Sequence, residues 1–119
     1  MMKTHKDLDV WKKGMGLVRA IYAATREFPA SEVYGLTSQM QRAAVSIPSN
    51  IAEGAARGTN NEFTRFLRNS LGSLAELETQ TILAQDLGYI QDSSALLKDI
   101  EDIRRLTLGL IRPLDARNS

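Results

Sequence analysis

Apolar residues recur at steps of three and four along almost the whole chain, and only short turn signals interrupt them. This period is typical of amphipathic helices, because residues three or four apart lie on one helical face. The interruptions are Phe28-Pro29-Ala30-Ser31, Gly58 and the segment after Gly88. The pattern predicts four helices, over about residues 7–28, 32–57, 60–88 and 93–113.

Residues with known capping preferences stand at the predicted helix ends. Ser31 is a suitable N-cap for the second helix, and Thr59 with Glu62 fits the capping box of the third. Either Asp92 or Ser93 can cap the fourth helix, which we expect Pro113 to end.

Connections of only about three to five residues force neighbouring helices to run antiparallel. The sequence therefore predicts an all-α fold, an up-down-up-down four-helix bundle, as a single domain over residues 7–115. Residues 1–6 and 116–119 are expected to be frayed ends.

Glycine is unfavourable inside helices and is usually tolerated there where two helices approach closely. Tight crossings are therefore expected at Gly14 and Gly72.

The composition argues against catalysis. The chain of 119 residues has no cysteine, and its one histidine is His5. The absence of cysteine excludes disulfides, thiolate metal sites and cysteine nucleophiles. A di-iron site of the kind found in helical bundles needs Glu-x-x-His on two helices, and no histidine follows position 5, so this site is excluded as well. No Walker, Rossmann or EF-hand pattern is present. We expect no metal, no cofactor, no small-molecule substrate and no enzymatic activity.

The hydropathy argues against a membrane location. The first residues contain no apolar signal region, and no apolar run approaches the roughly 18 residues that span a bilayer. We expect a cytoplasmic protein.

An unusual segment surrounds Pro48 in the second helix. Pro48 cannot donate a hydrogen bond to the carbonyl of Ala44, so the helix is expected to kink there. Ser46, Ser49 and Asn50 are placed to satisfy the freed backbone groups or to cap the helix again at Ser49, and Glu53 lies one helical turn beyond Asn50. These residues either repair the kink or form a polar site inside the bundle or at a subunit contact.

The net charge of +1 hides an asymmetry along the chain. Residues 1–68 hold 10 basic and 6 acidic side chains, whereas residues 69–119 hold 5 and 8. Arg57, Arg65 and Arg68 gather near the junction of the second and third helices. They form either an ordinary charged face or a patch that contacts phosphates without reading sequence.

Several helices carry more apolar residues than one inward-facing stripe needs. In the fourth helix, Leu97, Leu108 and Ile111 lie off the main stripe. Such a wide apolar arc either broadens the core or meets a second subunit.

Four strings together resemble a bacterial four-helix-bundle family known from intervening sequences in 23S ribosomal RNA genes. They are Asp9-Val10-Trp11, the run from Gln41 to Gly54 that contains Ser46-Ile47-Pro48-Ser49-Asn50, Phe63-x-x-Phe66-Leu67, and the run from Gly72 to Thr79. The similarity extends over about residues 7–112.

The resemblance implies a homopentamer with a central channel. The chain is also similar to the accessory protein of diversity-generating retroelements, a pentamer with a basic nucleic-acid-binding surface. The expectation is a non-enzymatic homo-oligomer that binds RNA or DNA weakly through Arg57, Arg65 and Arg68. The alternative is a protein-interaction adaptor with no nucleic-acid role.

Overall fold

Four α-helices make up most of the computed structural model, which describes residues 4–118. The helices are α1 (Asp9–Thr25), α2 (Leu36–Ala56), α3 (Asn60–Asp86) and α4 (Ser94–Asn118). Two short 3-10 turns, His5–Asp7 and Ala30–Glu32, precede α1 and α2. No strand occurs in this part of the chain, and the all-α prediction is confirmed.

The helices are arranged as an antiparallel bundle. Helices α1 and α3 each pack against both α2 and α4. The ion pair between Arg68 and Asp115 joins the first part of α3 to the last part of α4, so these two helices run in opposite directions. The bundle measures 46 × 20 × 19 Å, and the predicted up-down-up-down four-helix bundle is confirmed.

The core runs along the bundle axis and receives side chains from all four helices. Fully burying one such aliphatic side chain stabilises the fold by about 1.5–3 kcal/mol, so the core dominates the stability. Its largest fully buried apolar side chains are Leu17, Ile21, Met40, Ile47, Ile51, Leu67, Leu74, Leu77, Ile100 and Ile103.

Most predicted helix signals act as expected. Gly58 and Gly88 have φ of 87° and 80°, a conformation that favours glycine, and they follow α2 and α3. The Thr59 hydroxyl accepts a hydrogen bond from the Glu62 amide at 3.2 Å, but the Glu62 carboxylate binds Arg65, so only half of the predicted capping box forms. Of the two candidates before α4, the Asp92 carboxylate accepts from the Ser94 amide at 3.0 Å, whereas the Ser93 hydroxyl donates to the side-chain oxygen of Gln85.

The start of α2 differs from the prediction. The helix begins at Leu36, and Ser31 lies in a 3-10 turn instead of capping α2. Glu32 replaces it, since its Oε1 accepts from the Leu36 amide at 3.1 Å and its Oε2 accepts from the Tyr89 hydroxyl at 2.9 Å. The α1–α2 connection is therefore tied to the α3–α4 connection at the same end of the bundle.

The end of α4 also differs, because the helix continues through Pro113 to Asn118. Ile111 is buried and Leu114 is half-buried against the core, so packing on both sides of the proline maintains the helix. Pro113 has no N–H to donate to the Gly109 carbonyl, and Gly109 is exposed, so water can bind this carbonyl instead.

The tight crossing occurs at Gly54 and not at the predicted glycines. A Cβ on Gly54 would lie 2.6 Å from Cβ of Phe66, and such a contact forces a shift. A Cβ on Gly14 would meet Pro48 at an ordinary 3.5 Å, and one on Gly72 would meet nothing within 4 Å. Helices α2 and α3 are therefore the pair that glycine brings together.

The α1–α4 side of the bundle is more open. A groove of about 470 Å³ lies between the start of α1 and the second half of α4, lined by Leu8, Val10, Leu106 and Leu110 among others. Its lining is mostly apolar, although Asp7, Asp9 and Arg105 border it.

The first described residues are ordered by local contacts. The Thr4 hydroxyl accepts from the Lys6 amide, and the His5 ring packs edge-on to Trp11 with 5.2 Å between the ring centroids. Residues 1–3 and 119, for which frayed ends are predicted, lie outside the described residues, and the domain bounds at 7 and 115 stay a prediction.

Candidate functional site

The segment around Pro48 lies within the continuous helix α2. Ser46 Oγ donates to the Ala43 carbonyl at 2.7 Å, and Asn50 Nδ2 donates to the Ser46 carbonyl at 2.7 Å. The Pro48 ring is buried against α1, beside Gly14. The polar side chains thus bind the carbonyls of Ala43 and Ser46, whereas the carbonyl that Pro48 leaves without a helical donor is that of Ala44. Ser49 is exposed and its side chain has no hydrogen bond among residues 4–118. The repair of the proline site and the kink itself both stay predictions.

Helix α3 adds polar groups that the sequence interpretation did not include. Ser46 Oγ also lies 2.5 Å from Ser73 Oγ, and Asn69 Nδ2 donates to Asn50 Oδ1 at 3.5 Å. The fully buried hydroxyl of Ser70 donates to the Ile47 carbonyl at 3.0 Å. We call this group the α2–α3 polar seam; its residues are Ser46, Asn50, Asn69, Ser70 and Ser73.

The seam brings together two of the strings that resemble the family. The run from Gln41 to Gly54 and the run from Gly72 to Thr79 face each other across the α2–α3 interface through Ser46 and Ser73. The sequence does contain a signal for the α3 residues of the seam, because positions 69, 70 and 73 are polar and are spaced to lie on one side of the helix.

Glu53 does not join the seam. Its side chain is exposed and its Oε1 accepts from Arg57 at 3.1 Å, the i, i+4 pairing that the sequence spacing predicts. No hydrogen bond joins Asn50 to Glu53, so among residues 4–118 these two predicted site residues have different partners.

Two of the predicted arginines share one aromatic ring. The guanidinium carbons of Arg57 and Arg65 lie 5.1 and 4.4 Å from the centroid of Phe66. Both distances are within the range of a cation–π interaction. The Phe66 side chain is itself almost fully buried, so it holds both arginines at the α2–α3 junction.

Each of the three predicted arginines has a carboxylate partner. Arg65 Nε donates to Glu62 at 2.8 Å, and Arg68 Nη2 lies 2.5 Å from Asp115. The hydrogen bond from Arg65 holds the pKa of Glu62 below its ordinary value. With Arg57 bound to Glu53, the set of Arg57, Arg65 and Arg68, here called the arginine cluster, is matched by three negative charges.

The described residues contain no metal-binding arrangement: nowhere between positions 4 and 118 do three histidine, cysteine, aspartate or glutamate side chains group around a possible ion. In the same range, no helix is long and apolar enough to cross a membrane.

The fold and the seam define an antiparallel helical bundle whose second and third helices are joined by polar side chains, of which Ser70 is buried and Asn69 is exposed. The family model described as "23S rRNA-intervening sequence protein" matches residues 6–109. The chain belongs to this family, as its resemblance predicts. A comparison with curated proteins gave no match.

Proposed function

We propose that the chain is a non-enzymatic, cytoplasmic protein that assembles with copies of itself and binds RNA or DNA weakly, without reading its sequence. The assembly we propose is the homopentamer that the family resemblance implies. The bound groups are the backbone phosphates, because cations that contact only phosphates give affinity without base specificity.

The observation that carries the nucleic-acid proposal is the unequal charge of the two sides of the bundle. Residues 4–58, which include α1 and α2, hold 7 basic and 5 acidic side chains. Residues 59–118, which include α3 and α4, hold 7 basic and 9 acidic side chains. One side is therefore positive while the whole chain is nearly neutral, and such a side attracts polyanions at low salt.

Exposed apolar residues support self-association. Val33 and Tyr34 are 52% and 95% exposed, and Leu83 and Leu87 at the end of α3 are about half exposed. They lie at the end of the bundle where Tyr89 contacts Glu32. Apolar side chains gathered in this way are typical of surfaces that a second protein chain covers.

Two measurements test the proposal. Filter binding with labelled single-stranded RNA and DNA should detect binding at 50 mM salt and a steep loss of affinity at 200 mM salt. No binding at the lower salt concentration would contradict the nucleic-acid part. Light scattering should give five copies of the 13.2 kDa chain, about 66 kDa, and a single-chain mass at micromolar concentration would contradict self-assembly.

The second candidate is a protein-interaction adaptor, and the exposure of Tyr34 favours it. In this case the apolar end of the bundle would bind a different protein, and the basic side would have no ligand. Pull-down of the full chain from its host, with and without nuclease, separates the two functions. The adaptor function is supported if a partner protein stays bound after nuclease treatment and if the untreated sample contains no nucleic acid.

A further inference from the structure

Three cations on one side of α1 and its C-terminal cap have no ion pair among residues 4–118. Lys12, Arg19 and Arg26 occur at intervals of seven residues along α1 and its C-terminal cap. Seven residues make almost two full turns, so the three side chains follow one side of the helix, about 10.5 Å apart. We call these three residues the basic stripe.

The basic stripe faces solvent. All three of its residues are exposed, whereas Val10, Leu17 and Ile21 on the opposite side of α1 are buried. In the part of the chain that the structure describes, no ion pair or side-chain hydrogen bond involves a stripe residue. Helix α1 contains one carboxylate, Asp9, at its first residue.

An aromatic residue and a fourth cation lie beside the stripe. Tyr22 is three residues after Arg19 and four before Arg26, so it is a neighbour of both on the helix surface, and it is 41% exposed. Tyr22 also lines a groove of about 460 Å³ together with Arg42 of α2. Arg42, like the stripe, has no ion pair among the described residues.

We propose that the basic stripe is the surface that binds the phosphates of an RNA or DNA strand, with Arg42 beside it and Tyr22 available for stacking with a base. The inference rests on the proposed function and names its site. The three cations span about 21 Å along a rigid helix, so they can contact several phosphates of one strand. An exposed aromatic side chain next to cations is typical of surfaces for single strands.

The arginine cluster is less suited to this role. A phosphate that approaches Arg57, Arg65 or Arg68 also meets the carboxylate bound to that arginine, and the repulsion cancels much of the attraction. An anionic membrane is a poorer match than a nucleic acid, because the apolar face of α1 is buried in the bundle and cannot insert.

The test compares two variants that remove the same charge from the full chain. The first variant replaces the three stripe residues by glutamine (K12Q/R19Q/R26Q). The matched control replaces the three residues of the arginine cluster by glutamine (R57Q/R65Q/R68Q). Fluorescence anisotropy follows binding to a single-stranded 30-nucleotide RNA, and to DNA of the same sequence, between 50 and 200 mM salt. Circular dichroism checks that both variants keep their helices, which we expect because all six side chains are exposed.

Three phosphate contacts on a single strand contribute about 2 to the slope of log affinity against log salt. When salt rises from 50 to 200 mM, the fold-loss of affinity should therefore be about 16 times smaller for the stripe variant than for the wild type. The control should keep the slope of the wild type. Equal effects of both variants, or an effect of the control alone, would overturn the inference while leaving nucleic-acid binding in place.

If the wild type binds neither strand at 50 mM salt, the proposed function itself fails. Vesicles of phosphatidylserine provide a further arm. Tight binding of the wild type to these vesicles, lost in the stripe variant, together with no binding to RNA or DNA, would identify a membrane surface as the ligand and overturn the inference.

Discussion

Gly54 of α2 lies so close to Phe66 of α3 that a Cβ on the glycine would be 2.6 Å from the phenylalanine Cβ. The same added atom would be 3.3 Å from the Phe63 carbonyl. Neither obstacle is the far end of a flexible side chain, so the helices themselves would have to separate. Glycine at this position therefore sets the distance between α2 and α3.

The first prediction concerns this contact. Gly54→Ala should lower the free energy of unfolding by about 1–3 kcal/mol, the usual cost of overpacking. Gly72→Ala is the matched control, since a Cβ there meets nothing within 4 Å and alanine is the better helix former by about 1 kcal/mol. Urea unfolding should thus give opposite signs for the two variants, and stabilisation by Gly54→Ala would contradict the close approach.

The second prediction concerns the α2–α3 polar seam. Ser70→Ala removes the buried hydroxyl that donates to the Ile47 carbonyl, and it should cost about 1 kcal/mol of stability. Ser49→Ala, one residue after Pro48 but exposed and without a hydrogen-bond partner for its side chain among residues 4–118, should change stability by less than about 0.5 kcal/mol. Urea unfolding of both variants measures the difference, and equal effects would argue against the seam.

The third prediction concerns the contact between the two connections at one end of the bundle. The hydrogen bond to Glu32 raises the pKa of the Tyr89 hydroxyl above its ordinary value of 10.0. Because the raised pKa favours the protonated tyrosine in the folded state, its contribution to stability is present below pH 10 and is lost as the pH rises through the folded value. Glu32→Ala should lower the pKa of Tyr89, as measured by ultraviolet titration of the phenol.

The control for this variant is Tyr89→Phe, which removes the titrating group and identifies its signal. Glu32→Ala should also destabilise the fold more than Tyr89→Phe, because Glu32 additionally accepts from the Leu36 amide. Equal losses in thermal unfolding would show that the bond to α2 contributes nothing.

The fourth prediction concerns acid. Hydrogen bonds from Arg104 and Arg105 lower the pKa of Glu101 from 4.5 to about 2. A carboxyl group whose pKa is lowered by folding stabilises the folded state at pH values above its pKa in the unfolded state. This contribution is lost as the pH falls from 4.5 towards 2. Glu101→Gln should therefore reduce the loss of stability over this range, measured by urea unfolding at several pH values.

Glu76→Gln is the matched control for acid, since Glu76 is exposed and, among the described residues, has no ion pair. It should leave the pH dependence of stability close to that of the wild type. An identical change in both variants would indicate a general effect of net charge and not the specific bonds to Glu101.

Much of the fold could be predicted from the sequence because the decisive signals are local. The apolar period, the positive-φ glycines at 58 and 88 and the Thr59 cap each act within one or two helical turns. The start of α2 could not be predicted, since Glu32 is held by Tyr89, 57 residues away. The extension of α4 beyond Pro113 likewise depends on packing of Leu114 against the rest of the bundle.

The candidate site divides in the same way. The pairing of Glu53 with Arg57 follows from i, i+4 spacing alone, whereas the partner of Arg68 is Asp115 on another helix. Ser46 and Asn50 were recognisable from Pro48, but their contacts with Ser73 and Asn69 depend on the register of α2 against α3, which composition and period do not determine.

The open groove between α1 and α4 has a consequence for the order of folding. Each of the other three interfaces joins helices that follow one another in the chain, and short loops close early at low entropic cost. Closure of α1 against α4 joins the two ends of the chain, so we expect it to form last and to open first. Amide hydrogens beside Leu106 should therefore exchange faster with solvent than those at the Gly54–Phe66 contact.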